Sequence, residues 1–275
     1  MENGQLPGVR QVRYEPAPGA GAGIEVLSFE ELRRMDRARR RTRPQRPDFH
    51  VLALVRSGTG RHTADFVDHE LGERSVVWIR PGVVHRWTDV DRLDGPLVLF
   101  EDEFLPAADS FAPVCRQLDE KSWSLAVRTA DLLADSRSAP APVRAHLLSA
   151  LVLCVLPGEP APPGGAGEHA VFRRYREAVE ARFAQRHHVT DYAGELGYDV
   201  RTLTRATRAA TGLGAKQFLD GRIALEAKRL LAHTELPVAR CAERVGFDDA
   251  ANFTTFFRRQ TGLTPSRWRA TLSGR

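Results

Sequence analysis

One stretch near the C-terminus of this chain occurs twice, and that repeat restricts the fold more than any other feature. "VTDYAGELGYDVRTLTRATRAATGLGAKQF" (Val189–Phe218) lies over "VARCAERVGFDDAANFTTFFRRQTGLTPSRW" (Val238–Trp268). Val189, Ala193, Gly197 and Tyr198 pair with Val238, Ala242, Gly246 and Phe247 at an offset of 49 residues. After one inserted residue, Leu203, Thr211, Gly212 and Leu213 pair with Phe253, Thr261, Gly262 and Leu263 at an offset of 50. Two copies are too few for a stacked solenoid. Each copy reads as a short helix, a glycine turn and a longer helix, the helix-turn-helix arrangement. Ala193 and Ala242 are small enough for two helices to cross closely. Gly197 and Gly246 stand where a tight turn needs positive φ. Asp199, and Asp248 or Asp249, are placed to cap the helix that follows.

The longer helix of each copy has two faces. Leu203, Ala206, Thr207 and Ala210 recur at helical spacing and form the buried stripe of the first, leaving Arg201, Thr204, Arg205 and Arg208 on the other side. In the second copy Phe253, Phe256 and Phe257 bury, while Ala251, Asn252, Thr255 and Arg258 point outward. Arginine bridges O6 and N7 of guanine, asparagine bridges N6 and N7 of adenine, and threonine and alanine fit against a thymine methyl. On a single helix such a face is equally a solvated surface. Two in tandem, in a basic region, favour double-stranded DNA. From His169 to Arg275 the chain holds 19 Lys+Arg against 11 Asp+Glu, a charge of +8; the remaining 21 against 24 leave residues 1–168 at −3. That asymmetry fits a polyanionic partner for the C-terminal third. Between the copies, "AKQFLDGRIALEAKRLLAHT" (Ala215–Thr234) is amphipathic through Phe218, Ile223, Ala227, Leu230 and Leu231. As a helix of roughly 19 residues it spans about 28 Å, comparable with the roughly 34 Å repeat of the major groove.

Upstream, "PGEPAPPGGAG" (Pro157–Gly167) cannot continue a helix or fill a core and reads as a linker over 157–168. Residues 1–23 are Gly/Pro-rich and aperiodic, a loose tail. Residues 24–156 hold short β-like runs ("HVLALV", "ADFV", "SVVWI", "PLVLF"), then two helical segments, "SWSLAVRTADLLAD" and "VRAHLLSALVLCVL". The fold class expected is therefore a two-domain α+β chain, with an all-α tandem helix-turn-helix domain over 169–275. The second helix is apolar on more than one side, which suits burial against a partner chain and a homodimer. Its longest apolar run, 10 residues from Leu147 to Leu156, is half of what a bilayer span needs, so no membrane is expected. Cys115, Cys154 and Cys241 are scattered among apolar residues without metal-ligand spacing. They fit buried packing in a reducing cytosol, and the N-terminus lacks the pattern of a signal peptide.

At this point the chain resembles the AraC/XylS-type transcriptional regulators, over residues 170–272. The likeness rests on "RIALEAKRLL", "LPVARCAERVGF" and "FFRRQTGLTPSRWR". It implies base-reading roles for Arg201, Thr204 and Arg205 and for Ala251, Asn252 and Thr255. It further implies phosphate contacts from Arg208, Arg258 and the N-terminus of the second recognition helix, and RNA polymerase as a partner. Thr207, where the second copy has Phe257, and Gly214-Ala215, where it has Thr264-Pro265, predict a less tightly packed first copy.

The N-terminal region (24–156) reads as a cupin-like β-barrel with two trailing helices, serving ligand sensing and dimerisation. The spacing of Gly72, "RPG" (Arg80–Gly82) and His85 resembles half of a cupin motif, the sensor barrel commonly attached to these regulators. His62, Trp78, Arg80, His85 and Trp87 are the candidates to line a pocket for one small-molecule effector. Enzymatic cupins need a His-x-His pair and a carboxylate for their metal; His62 is followed by Thr63 and Ala64, so neither metal, cofactor nor catalysis is expected. The arginine-rich run Arg33–Arg46 reads as a solvated arm or a lid segment. A cupin enzyme with a DNA-targeting module and an architectural protein that reads DNA shape are the competing interpretations. Effector, operator and direction of regulation stay open at this level.

Overall fold

The computed structural model describes residues 9–15, 23–36, 40–104, 113–156 and 165–273. The chain divides into two compact units, Met1–Gly158 and Glu159–Arg275.

The first unit contains two five-stranded sheets. One has the order β1 (Arg10–Val12), β3 (Gln45–Pro47), β8 (His85–Asp89), β5 (Gly60–Ala64), β6 (Val67–Leu71). The other has the order β10 (Cys115–Gln117), β7 (Ser75–Ile79), β4 (His50–Leu54), β9 (Pro96–Phe100), β2 (Ile24–Ser28). Strands β4 and β7 are buried at every position, so the second sheet needs cover on both faces. On one face Leu52, Leu54, Val76, Trp78, Val98 and Phe100 pack with Ala126, Leu133, Leu148 and Leu151 of α2 (Glu120–Asp135) and α3 (Ala141–Val155). On the other, Val51, Ala53, Val77, Ile79 and Leu97 share a core with Leu71 and Trp87 of the first sheet and with Phe29 and Leu32 of α1 (Phe29–Met35).

The expected closed cupin-like barrel does not form: the sheets are open. Among the described residues no strand pairing joins one sheet to the other. Closure requires a continuous, staggered ladder, and the material for one is missing. Strands β1, β3 and β10 have three residues each. The β3–β8 ladder is a single pair, Gln45 with His85, and Pro47 in β3 has no N–H to donate. Three other expectations are revised. Arg10–Val12, within the expected tail, is a strand held by parallel pairing to β3. "ADFV" is a hairpin turn: Asp65 and Phe66 take positive φ, and Asp65 exchanges hydrogen bonds with the Val84 backbone. The arginine-rich run contributes the end of α1, a short 3-10 turn (Arg40–Thr42) and β3, with residues 37–39 outside the described residues. Arg33 there is not solvated; it donates to the carbonyls of Val90 (3.0 Å) and Leu93 (2.7 Å). Cys241 is buried, whereas Cys115 and Cys154 are half-buried.

The second unit is seven helices among the described residues: α4 (Gly165–Arg182), α5 (Val189–Leu196), α6 (Val200–Thr211), α7 (Ala215–His233), α8 (Val238–Arg244), α9 (Ala250–Thr261) and α10 (Pro265–Ser273). Helix α4 starts inside the segment read as linker, of which residues 157–164 lie outside the described residues. The turns of both copies use left-handed glycines, Gly197 at φ 70° and Gly246 at φ 86°. The first copy is not loosely packed. Thr207 is fully buried with its hydroxyl donated to the Leu203 carbonyl at 2.7 Å. Helix α4 brings in Phe172 and Tyr175, both fully buried, and the Tyr175 hydroxyl donates to the Ala215 carbonyl at 2.9 Å. Aromatic rings from outside the repeat thus pack into the first copy, Phe172 against Phe218 and Tyr175 against Tyr192.

Candidate nucleic-acid interface

Helices α6 and α9 are built alike from the cap inward. Asp199 accepts from the Thr202 N–H at 2.6 Å, and Asp249 from the Ala251 and Asn252 N–H groups at 3.1 Å each. Gly212 and Gly262, at φ 74° and 78°, end the helices by donating to the carbonyls of Arg208 and Arg258. Leu203, Ala206 and Thr207 face the core of α6, and Phe253, Phe256 and Phe257 that of α9. Arg201, Arg205 and Arg208 are exposed on α6, and Ala251, Asn252, Thr255 and Arg258 on α9. Thr204 is half-buried and its hydroxyl already donates to the Val200 carbonyl at 2.7 Å. The carboxylate of Asp249 occupies the N–H groups at the start of α9 that the resemblance had offered to a phosphate. Arg205 is held by an acid outside the repeat: its Nε lies 2.5 Å from Glu168 Oε1 in the first turn of α4.

Helix α7 joins the two copies through polar groups that hydrophobic periodicity does not reveal. Asp220, nearly fully buried, takes Lys216 at 2.6 Å and Arg259 of α9 at 3.3 Å. Glu226 takes Arg222 at 3.2 Å and Arg229 at 3.1 Å. In α10, Arg269 donates to the carbonyls of Leu231 (3.1 Å) and Leu236 (2.7 Å). Arg269, the second arginine of the "SRWR" stretch, therefore ties α10 to the end of the connector. His187 ties the α4–α5 loop to the second turn: its Nε2 bonds the Val245 carbonyl at 2.8 Å and its ring packs on Phe247. Burial holds its pKa below the usual histidine value.

The five ligand candidates of the first unit do not converge. His62, His85 and Trp87 come together on the inner face of the first sheet. His62 Nε2 and His85 Nδ1 share a hydrogen bond of 3.0 Å, and Trp87 lies 4.5 Å from the His62 ring, with Phe29 edge-on to it at 5.5 Å. Burial pushes His62 well below its usual pKa, and the neighbouring His85 and His69 add to the shift; His85 falls to about 3, again by burial, with Arg41 adding. Both imidazoles are therefore neutral. Trp78 instead faces the helices on the far side of the second sheet and donates Nε1 to His50 Nδ1 at 3.0 Å. The Arg80 guanidinium covers the Trp78 ring at 4.7 Å. His50, stacked on Phe100 at 4.7 Å, completes that second cluster and was not foreseen. A cleft of about 250 Å³ opens beside Trp87, lined by Arg33, Asp36, Arg41, Thr42 and Asp89 among others. Among the described residues no group of three His, Cys, Asp or Glu is placed to hold a metal ion. No described helix is long and apolar enough to cross a membrane.

The family model described as a helix-turn-helix domain matches residues 192–271, and that described as an AraC-like ligand binding domain matches residues 29–149. The HTH-type transcriptional activator RhaS of Salmonella schwarzengrund is 25% identical over 233 residues, covering 79% of this chain and 84% of that protein. The chain belongs to the AraC/XylS family of helix-turn-helix regulators. Within that family, RhaS of Salmonella typhimurium matches to the same degree, 25% over 233 residues. Among solved structures, the C-terminal domain of AraT, a response regulator from Geobacillus stearothermophilus, is 30% identical, covering 37% of this chain and 84% of that one, with a TM-score of 0.35. The DNA-binding domain of AdpA, in complex with a target DNA, is 29% identical, covering 38% and 93%, with a TM-score of 0.34. As a member of the AraC/XylS family, this chain is a sequence-specific DNA-binding regulator of transcription.

Proposed function

We propose that the chain reads two adjacent major-groove segments of duplex DNA, α6 entering one and α9 the other. The observation that carries this reading is the pair of exposed polar faces on two helices of matching construction, joined by one 19-residue helix. Arg201, Thr204 and Arg205 would read bases from α6, and Ala251, Asn252 and Thr255 from α9, with Arg208 and Arg258 on phosphates. Phosphate contacts set register and most of the salt-sensitive affinity; base contacts set sequence.

The DNA-binding unit is assigned to 169–275 and the regulatory unit to 24–156. Regulation is assigned to a small molecule bound by the regulatory unit, with the cleft beside Trp87 as the entry point and the His62–His85–Trp87 cluster behind it. Such control requires that the effector bind two states of the protein with different affinity. RhaS is named an activator, and activation through contact with RNA polymerase in the cytoplasm is the direction proposed here. A homodimer is proposed because Leu125, Leu132 and Leu153 on α2 and α3 remain more than half exposed; a monomeric mass by light scattering at micromolar concentration would count against it.

The test of base reading is mutational. Arg205→Ala and Asn252→Ala are each expected to cost about 1–3 kcal/mol on the preferred site and to relax preference at one base position. Equal losses on every duplex for both variants would mean that these side chains do not read bases.

A further inference from the structure

We propose that Glu168 is a specificity-determining positioning residue, which holds the Arg205 guanidinium so that it meets a guanine edge in one orientation. The inference rests on the reading of Arg205 as a base-contacting residue and adds to it a group outside the recognition helix.

Arg205 is an exposed arginine on the outer face of α6, with side-chain exposure of 64%, while the Glu168 side chain is only 19% exposed. A long side chain in that setting samples many rotamers, and ordering it costs entropy that must be lost before or during binding. Glu168 removes that freedom in advance. Its Oε1 lies 2.5 Å from Arg205 Nε, and a guanidinium held at Nε still carries N–H groups on its two terminal nitrogens. Bridging O6 and N7 of guanine takes two N–H groups side by side, which that end supplies while Nε stays engaged. The holder is itself fixed. Phe172, one turn further along α4, is fully buried, and the first turn of a helix favours a carboxylate.

Two alternatives fit the geometry less well. An ion pair this exposed adds little to folding stability, so stability does not account for an acid placed beside a DNA-facing arginine. Asp199, the other acid near Arg205, is committed to capping α6 through the Thr202 N–H at 2.6 Å. Glu168 is thus the acid available to orient the guanidinium. In the second copy Thr255 stands at the position of Arg205, and a short threonine needs no such support.

The experiment uses the full chain and four variants: Glu168→Ala, Glu168→Gln, Arg205→Ala and the Glu168→Ala/Arg205→Ala double. Each is titrated against the preferred duplex, its single-base substitutions and a random duplex. Glu168→Ala is expected to weaken the preferred site about three- to tenfold, a part of the Arg205→Ala loss. That loss should concentrate at the base where Arg205→Ala relaxes preference. Random duplex should be bound unchanged or more tightly, because a negative charge has been removed. Glu168→Gln keeps an oxygen acceptor and should fall between Glu168→Ala and the parent. The double variant should be no weaker than Arg205→Ala alone, as coupled residues behave. Tighter binding of Glu168→Ala to every duplex would make the acid a mask and overturn the proposal. So would an unchanged Glu168→Ala beside an Arg205→Ala that relaxes one base. An Arg205→Ala variant that relaxes no base would remove the base-contact reading itself, and the role of Glu168 with it.

Discussion

Gly197 and Gly246 occupy the same place in the two copies, and replacing each by alanine separates two costs that are normally mixed. At Gly197 (φ 70°) an added Cβ meets nothing within 4 Å. Only the left-handed backbone penalty applies, about 1–2 kcal/mol. At Gly246 (φ 86°) the same penalty applies, but the Cβ would lie 2.0 Å from the Ala184 carbonyl oxygen and 2.9 Å from His187 Nε2. The carbonyl belongs to the backbone and cannot swing aside, and moving His187 strains its 2.8 Å bond to the Val245 carbonyl. Forcing a methyl into packed surroundings adds about 1–3 kcal/mol. Gly246→Ala should therefore destabilise the helical unit by roughly 2–5 kcal/mol in total. Urea unfolding followed by far-ultraviolet circular dichroism measures both variants, the helical transition being recognised by its shift when DNA is added. Equal losses for the two substitutions, within about 0.5 kcal/mol, would refute the idea that the second turn is pinned against the α4–α5 loop.

Acid should loosen the sheet unit through its buried histidines. The folded pKa values of His62 and His85 are depressed, His85 to about 3, so their contribution is present above the unfolded value near 6.5 and is lost as pH falls. At pH 5 each imidazole that stays neutral costs about 2 kcal/mol; thermal unfolding between pH 7 and 5 should show the slope, and a His62→Phe/His85→Phe variant with the same slope would contradict it. Arg258→Ala should weaken all duplexes similarly and reduce the salt slope of binding by about 1; a loss confined to one base would reassign this residue. Arg269→Ala removes two hydrogen bonds from a charged donor to the Leu231 and Leu236 carbonyls and should cost about 1–3 kcal/mol in stability. An unaltered urea midpoint would show that these bonds do not secure the end of α7.

The helical unit was legible because its constraints are local. Glycine turns, acidic caps and a 3.6-residue stripe act within a few residues, and the repeat supplies a second reading of each. What escaped was the burial of acids on the inward face of α7. Asp220 and Glu226 look like ordinary surface i,i+4 and i,i+3 partners of Lys216, Arg222 and Arg229, and only the non-local reach of Arg259 from α9 to Asp220 ties them to the packing of the two copies. The sheet unit was legible only as strands. Trp78 and Val77 lie on opposite faces of β7, as strand alternation requires, yet alternation carries no information about whether a ladder closes. The open edges follow from three-residue strands and from the two helices that cover the second sheet. Helix α1 had a readable signal in Ser28 and Glu31, a capping box in which each side chain bonds the other's backbone N–H, at 3.1 and 2.7 Å. That signal was hidden by the β-like runs on either side.

Selection of binding sites by the full chain from a random duplex library tests the central claim most directly. Two helices that read neighbouring major-groove segments should enrich one motif with two conserved blocks about 10 base pairs apart, centre to centre. Substituting Arg205 should erode one block and substituting Asn252 the other. A library that shows no enrichment, or a single block lost equally in both variants, would contradict it.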